Sequence, residues 1–161
     1  MPSGPITPDA FRDVLGRFAT GVTVLTTRDA EGRDRGMTVS AFAALSLEPP
    51  LVLVCVARDA TIAGAVAAAS HFGVSVLAAH QEPLARRFAD PNADRFDAVP
   101  LSRGASGVAL VRGALAHLEC RATARHEGGD HTIVVGEVLA ASALEGEPLV
   151  HFRGDYGRFA R

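Results

Sequence analysis

Alternation of apolar and polar residues dominates the chain and predicts mostly β-structure. Residues 22–27 alternate β-branched and polar side chains before a turn at 29–32, which predicts a strand followed by a hairpin. Residues 114–125 place small or apolar side chains on one face and polar ones on the other, which predicts a half-solvated antiparallel strand. A turn at 128–130 then leads into a β-rich run over 132–140 that should pair back as a hairpin.

Residues 51–57 form the longest strongly apolar run of the chain. The run follows Pro49 and Pro50 and is rich in β-branched residues, so we expect a strand that is buried on both faces in the middle of the sheet. Residues 72–77 predict another strand, and a final short strand is expected to end near residues 151–152.

Short helices complete the pattern. Thr7 can cap a helix that starts at Pro8, and apolar residues follow at helical spacing until Gly21 ends it. Two further helices are expected over residues 61–69 and 81–88. The excess of strands over helices predicts a mainly β (α+β) fold, an antiparallel barrel with short peripheral helices that forms one domain over the whole chain.

Charge and length exclude two classes of partner. Among 161 residues, 16 basic and 18 acidic side chains give a net charge of -2, which provides no basic surface for a nucleic acid. The longest apolar run is much shorter than the ~20 residues that span a membrane. The first five residues lack the basic and apolar regions of a signal peptide. We therefore expect a soluble, cytoplasmic protein.

Several common enzyme motifs are absent from the sequence. It contains no dinucleotide-binding G-x-G-x-x-G, no P-loop, and no second glycine that would make residues 73–77 a nucleophile elbow. The six histidines occur singly, and Cys55 and Cys120 do not have the spacing of metal ligands. A metal site is therefore not expected, and both cysteines are interpreted as buried apolar residues.

Three stretches, in this order, carry a resemblance to a known family. They are GMTVSAFAALSLEPPLVLVCV at 36–56, GDHTIVVGEV at 129–138 and PLVHFRGDY at 148–156. Together with the opening residues 11–24 they resemble the flavin reductase-like family, whose fold is the FMN-binding split barrel and whose members reduce flavin for a separate oxygenase. One departure is Ser75, where related sequences carry Asn, so a side-chain amide contact to flavin is in doubt at this position.

The residues of the first stretch suit a flavin ring. An isoalloxazine ring is planar, with polar edges, and needs small neighbours and hydrogen-bond donors at its rim. Residues 38–41 supply both, although taken alone they favour an ordinary polar hairpin rim. The resemblance implies that FMN or FAD is bound by Met37, Thr38, Val39, Ser40, Ala41, Cys55, Val56, Ala57, Arg58, Thr61, Arg87 and Phe88.

Within this set, the resemblance places the flavin phosphate after the buried strand. There Arg58 and Thr61 precede a predicted helix, whose first N–H groups can bind an anion. Arg87 and Phe88 are predicted outer contacts to phosphate or adenine. A solvent-facing helix position is the alternative for Arg87.

The two later stretches are implied to meet the hydride donor, NADH or NADPH. The predicted contacts are His131, Phe152, Gly154 and Tyr156, since a histidine can bind an amide or phosphate oxygen and an aromatic ring can cover a nicotinamide. Hydride passes directly between two stacked rings, so no residue needs to act as an acid or base.

The resemblance therefore predicts an NAD(P)H:flavin oxidoreductase that supplies a partner monooxygenase, and a C2 homodimer with flavin near the interface. An electron carrier or non-catalytic protein with tightly bound FMN is the alternative on the same barrel. A pyridoxine-phosphate oxidase-like enzyme is a third possibility, which the Gly-Asp-His stretch disfavours. An interaction module without catalysis also stays open.

Overall fold

The computed structural model describes residues 4–159, in which three α-helices, one 3₁₀ turn and twelve strands are formed. The helices are α1 (Pro8–Leu15), α2 (Ala63–Ala68) and α3 (Glu82–Ala89). The strands are β1 (Thr20–Gly21), β2 (Thr23–Arg28), β3 (Asp34–Val39), β4 (Phe42–Leu47), β5 (Pro50–Ala57), β6 (His71–Val76), β7 (Leu101–Arg103), β8 (Ala109–Val111), β9 (Ala116–Gly128), β10 (His131–Ala143), β11 (Leu149–Phe152) and β12 (Asp155–Arg158).

Seven strands form one antiparallel sheet in the order β3-β2-β6-β9-β10-β5-β4. Its two edge strands, β3 and β4, follow each other in the chain and are joined by Ser40 and Ala41. The sheet curves around a core that includes Leu25, Phe72 and Val134 from three different strands. The predicted mainly β, antiparallel fold with short peripheral helices is confirmed.

A second sheet has the order β1-β11-β12 and lies beside α1. The backbone N–H of Arg153, in the β11–β12 turn, donates to the carbonyl of Gly16 at 2.8 Å. A second core cluster, which includes Phe88 of α3 and Leu149 of β11, packs around Val24 of β2. The β11–β12 hairpin is therefore fixed between α1 and α3.

The first helix begins as predicted and ends earlier. The Thr7 hydroxyl accepts the N–H of Ala10 at 3.3 Å, and Pro8 occupies the first turn. The helix ends at Gly16, whereas Gly21 was expected to end it. The reason is a partner elsewhere in the chain, because Thr20 and Gly21 pair with β11 as a short strand.

Strand β5 is not in the middle of the sheet, and it is not buried on both faces. It lies next to the edge strand β4, and alternate residues from Val52 to Val56 are buried while those between them are partly exposed. The continuous apolar run therefore has one face in the core and an apolar outer face.

Glu119 departs from the predicted solvent-facing side of β9. It is only 5% exposed, and its carboxylate accepts the backbone N–H groups of Ala105 and Ser106 in the β7–β8 hairpin. Burial alone would raise the pKa of Glu119, but these hydrogen bonds outweigh it and hold the pKa below its usual value. The hairpin covers this face, which strand alternation in β9 could not indicate.

None of the helices within residues 4–159 is long and apolar enough to cross a membrane.

Candidate functional site

A cleft of about 630 Å³ lies between the two sheets, within the size range of small-molecule sites. One wall is formed by the link between β3 and β4, the start of β4 and the outer face of β5. The facing wall is formed by the end of α1, by β1 and by the β11–β12 hairpin. The lining residues are Arg12, Leu15, Gly16, Phe18, Thr20, Ser40, Ala41, Phe42, Ala43, Leu53, Cys55, His151 and Gly154.

Backbone hydrogen bonds fix the conformation of the first wall. The carbonyl of Ala41 accepts the N–H of Cys55 at 2.9 Å, and the carbonyl of Ser40 accepts the N–H of Phe42 at 2.9 Å. Both residues of the link are exposed to the cleft. Their small side chains leave room for a flat ring to approach the main chain.

The two cysteines, both predicted to be buried, differ in their surroundings. Cys55 is partly exposed and lines the cleft, so the expectation of burial is wrong for it. Cys120 is fully buried, and burial raises the pKa of its thiol to about 12. Cys120 is therefore an unreactive core residue, as expected.

The facing wall is stabilised by a group of ring contacts on one face of the small sheet. Thr20 and His151 are directly paired across β1 and β11. The His151 ring meets the Tyr156 ring edge-on, with centroids 5.7 Å apart, and the Arg86 guanidinium lies over the Tyr156 ring at 4.9 Å from its centroid. Arg86 also contacts Asp155 at 3.2 Å. Helix α3 thus holds the hairpin that carries His151.

Four of the sequence-predicted residues come together in this cleft: Ser40, Ala41, Cys55 and Gly154. Gly154 has a φ of +83° at the tip of the β11–β12 hairpin, a conformation that favours glycine. These residues lie far apart in the sequence, and the fold places them around one space.

Other predicted flavin residues have side chains directed elsewhere. The Thr38 hydroxyl donates to the carbonyl of Ala85 at 2.6 Å, so it faces α3. Met37 packs against the core, and the side chains of Val39 and Val56 are part of it. Ligand contacts from Val39 and Val56 would therefore have to come from the main chain.

Phe88 cannot be an outer ligand contact in this structure. It is fully buried and meets the Phe96 ring edge-on at 5.1 Å between centroids. The prediction is corrected because α3 turns the face with Ala85 and Phe88 toward the core. Neighbouring Arg87 is exposed and donates to the carbonyl of Asp97 at 2.7 Å.

The predicted phosphate residues Arg58 and Thr61 have different partners. Arg58 lies 3.6 Å from the carboxylate of Glu127, whereas the Thr61 hydroxyl accepts a hydrogen bond from Arg95 at 3.1 Å. Arg95 also donates to the carbonyl of Gly36 at 2.7 Å. Burial lowers the pKa of Arg95. Arg95 and Thr61 both line a second pocket of about 300 Å³. Sequence patterns gave no signal for Arg95, which lies in a loop.

Of the predicted nucleotide residues, Gly154 lines the cleft, whereas His131, Phe152 and Tyr156 are not among its lining residues. His131 of β10 is paired with Ala57 of β5. Ala57 lies on the same face of β5 as Cys55, about 7 Å farther along the strand. The Nδ1 atom of His131 is 2.7 Å from the Asp130 carboxylate. Phe152 is exposed next to His151, and Tyr156 is paired with His151 across β11 and β12.

The chain matches a family model described as a flavin reductase like domain over residues 15–160. FMN reductase (NADH) SmoA of Agrobacterium fabrum is 46% identical over 152 residues, which are 94% of this chain and 86% of that protein. The reductase subunit HsaB of a flavin-dependent monooxygenase from Rhodococcus jostii is 40% identical over 152 residues, 94% of this chain and 77% of HsaB.

A solved structure agrees with the fold along nearly its whole length. NADH:FAD oxidoreductase SgcE6 of Streptomyces globisporus C-1027, in complex with NAD and FAD fragments, is 44% identical with a TM-score of 0.90, and the match covers 98% of each chain. The chain described here therefore belongs to the flavin reductase-like family.

Proposed function

We propose that this protein reduces FMN or FAD with NADH, forming reduced flavin and NAD⁺, and releases the reduced flavin to a separate oxygenase. The cleft between the two sheets is the observation that carries the proposal. One of its walls contains the Ser40–Ala41 segment of the flavin signature, and the other comes from the stretch predicted to meet the nucleotide. Two flat rings can thus enter between walls of different composition.

The residues present fit a flavin ring on the first wall. Ala41 and Ala43 are small, and Ser40 supplies a hydroxyl at the cleft surface. The flavin accepts a hydride at N5 when a nicotinamide ring is stacked at roughly 3–3.5 Å. The protein's contribution is therefore to hold two rings in register and exclude other arrangements, with no side chain acting as acid or base.

We further propose that Thr61 and Arg95 hold the flavin phosphate. Arg95 is half-buried and uses backbone and hydroxyl oxygens as acceptors, at Gly36, Thr61 and Asp90. A guanidinium of this kind attracts a phosphate strongly, because its charge is incompletely compensated by neutral oxygens. His131, Phe152, Gly154 and Tyr156 stay predicted contacts to the nucleotide.

Steady-state oxidation of NADH by the purified protein tests the function. Added FMN or FAD is expected to stimulate the loss of NADH absorbance many-fold over protein or flavin alone. The same assay with NADPH and riboflavin defines the preferred pair. No stimulation by any flavin with either nucleotide would contradict the function, and a purified yellow protein whose flavin is reduced only slowly would favour the carrier alternative.

Supply to an oxygenase is supported by the family and by the open cleft. HsaB is the reductase subunit of a flavin-dependent monooxygenase. In this chain Ser40, Ala41 and Gly154 are exposed, so a ligand between them is not enclosed. A flavin held in this way can leave after reduction.

We also propose that the protein is a homodimer. Helix α1 exposes Phe11 and Val14, Phe18 just after the helix is also exposed, and Leu47 of β4 is 95% exposed. Phe18 also lines the cleft, and exposed apolar patches of this kind mark interfaces. Light scattering after gel filtration is expected to give twice the chain mass of 16.8 kDa, and Leu47→Glu should shift the protein toward one copy. A wild-type mass of one chain would contradict the dimer.

The remaining assignments are also proposals. We propose that the curved sheet is a split barrel, since its edge strands are consecutive and its core lies inside the curve. One domain accounts for the chain, and a cytoplasmic location suits two free thiols.

A further inference from the structure

The Thr20 hydroxyl is buried without a hydrogen-bond partner. Among residues 4–159, Thr20 Oγ1 and Ser106 Oγ are the buried side-chain polar atoms that lack one. Leaving a buried hydroxyl unpaired costs free energy, so native structures rarely keep such groups without a reason. A ligand that completes the hydrogen bond would be such a reason.

Thr20, unlike Ser106, lies in the wall of the cleft. It is paired with His151 across β1 and β11, so the two side chains share one face of the small sheet. Thr20 and His151 line the same cleft as Ser40 and Ala41, from the opposite wall. An unpaired hydroxyl and an imidazole thus stand opposite the proposed flavin wall.

The charged side chains in this wall indicate which kind of ligand group can bind to it. Arg12 is the charged residue at the cleft surface, and its guanidinium already forms an ion pair with Asp9 at 2.8 Å. Thr20 and His151 can each donate or accept a hydrogen bond in their neutral forms. A neutral group that carries both a donor and an acceptor therefore fits better than a phosphate.

We infer that the Thr20 hydroxyl binds the carboxamide of the nicotinamide ring, with His151 beside it. The inference rests on the proposed function, which places a nicotinamide between the flavin and this wall. A carboxamide offers an N–H donor and a carbonyl acceptor, and the hydroxyl can pair with either. Because the carboxamide is attached next to the carbon that gives up the hydride, fixing it fixes that carbon over the flavin.

Thr20→Val tests the inference, because valine keeps the shape and removes the hydroxyl. We expect the KM for NADH and the Kd for NAD⁺, measured by calorimetry, to rise roughly tenfold, the value of one lost hydrogen bond in a desolvated site. The KM for flavin should stay within twofold. The melting temperature should not fall, since the free protein loses only an unpaired group. Thr20→Ser should restore most of the affinity.

Ser106→Ala is the matched control, because it removes another buried hydroxyl, at a position outside the cleft. It should leave all these constants unchanged. A raised flavin KM with normal NAD⁺ affinity in Thr20→Val would assign the hydroxyl to the flavin and overturn the inference. Unchanged constants, or a lower melting temperature with no selective effect, would also overturn it. Failure of the proposed function can be distinguished from these outcomes, because the wild-type protein itself would then not oxidise NADH in the presence of flavin.

Discussion

Replacing Ala41 by phenylalanine is expected to lower kcat/KM for flavin about 100-fold, the effect of displacing a reacting ring by about 1 Å or more. Ala41 is exposed to the cleft between the two sheets, and its carbonyl holds Cys55 of β5 at 2.9 Å. The variant keeps that backbone hydrogen bond and adds a ring to the space proposed for the isoalloxazine. The loss should appear in flavin titrations of NADH oxidation, together with a weaker Kd for flavin.

Two variants separate blocking of the cleft from damage to the fold. Ala67→Phe makes the same change at an exposed position of α2 that does not line the cleft, and should keep wild-type kinetics. Ala41→Gly, which only enlarges the cleft, should stay within a few-fold of wild type. Normal flavin kinetics in Ala41→Phe would show that the ring binds elsewhere.

Local patterns predicted the parts of the fold that local contacts build. The hairpins β2–β3 and β9–β10 were predicted because alternation and a turn occur within one short stretch, and both are confirmed. Strands β1, β4, β7, β8 and β12 were not predicted, and β4, with six residues, has no apolar–polar alternation. The other four have only two to four residues, too few for an alternation pattern, and β1 depends on a distant partner.

The site was predicted in part for the same reason. Ser40 and Ala41 belong to a continuous signature, so the resemblance could name them. Thr20 and His151 become neighbours only when β1 pairs with β11, and no spacing along the chain indicates that pairing. Arg95 reaches Thr61 from a loop without periodicity.

Phe88 is a different kind of error, because the sequence held the signal that would have avoided it. Ala85 and Phe88 are three residues apart in α3, and therefore share one face of the helix. Both are fully buried, while Arg86 and Arg87 between them are exposed. Helical periodicity therefore places Phe88 in the core, although it is next to a candidate phosphate contact in the sequence.

Gly136→Ala is expected to destabilise the fold by about 3 kcal/mol, the upper part of the range for overpacking a core. A Cβ at this position of β10 would collide with Cζ of Phe72 and lie 3.1 Å from Cβ of Cys120. Phe72 is only 2% exposed, so its ring has no free space to move into. Thermal unfolding should show a melting temperature about 10 °C lower.

The cause of that loss can be isolated with a matched glycine and a compensating change. A methyl group added at Gly64 in α2 would meet no atom of another element within 4 Å, so Gly64→Ala should stabilise the helix by roughly 0.5–1 kcal/mol.

Phe72→Leu removes the ring atoms that collide, and combined with Gly136→Ala it should cost less than the sum of the two single changes. Strict additivity would mean that the glycine is needed for the backbone irregularity between Val135 and Gly136, and not for the space that Phe72 fills. Since flavin and NAD⁺ would bind only the folded chain, either ligand should recover part of the melting temperature lost in Gly136→Ala.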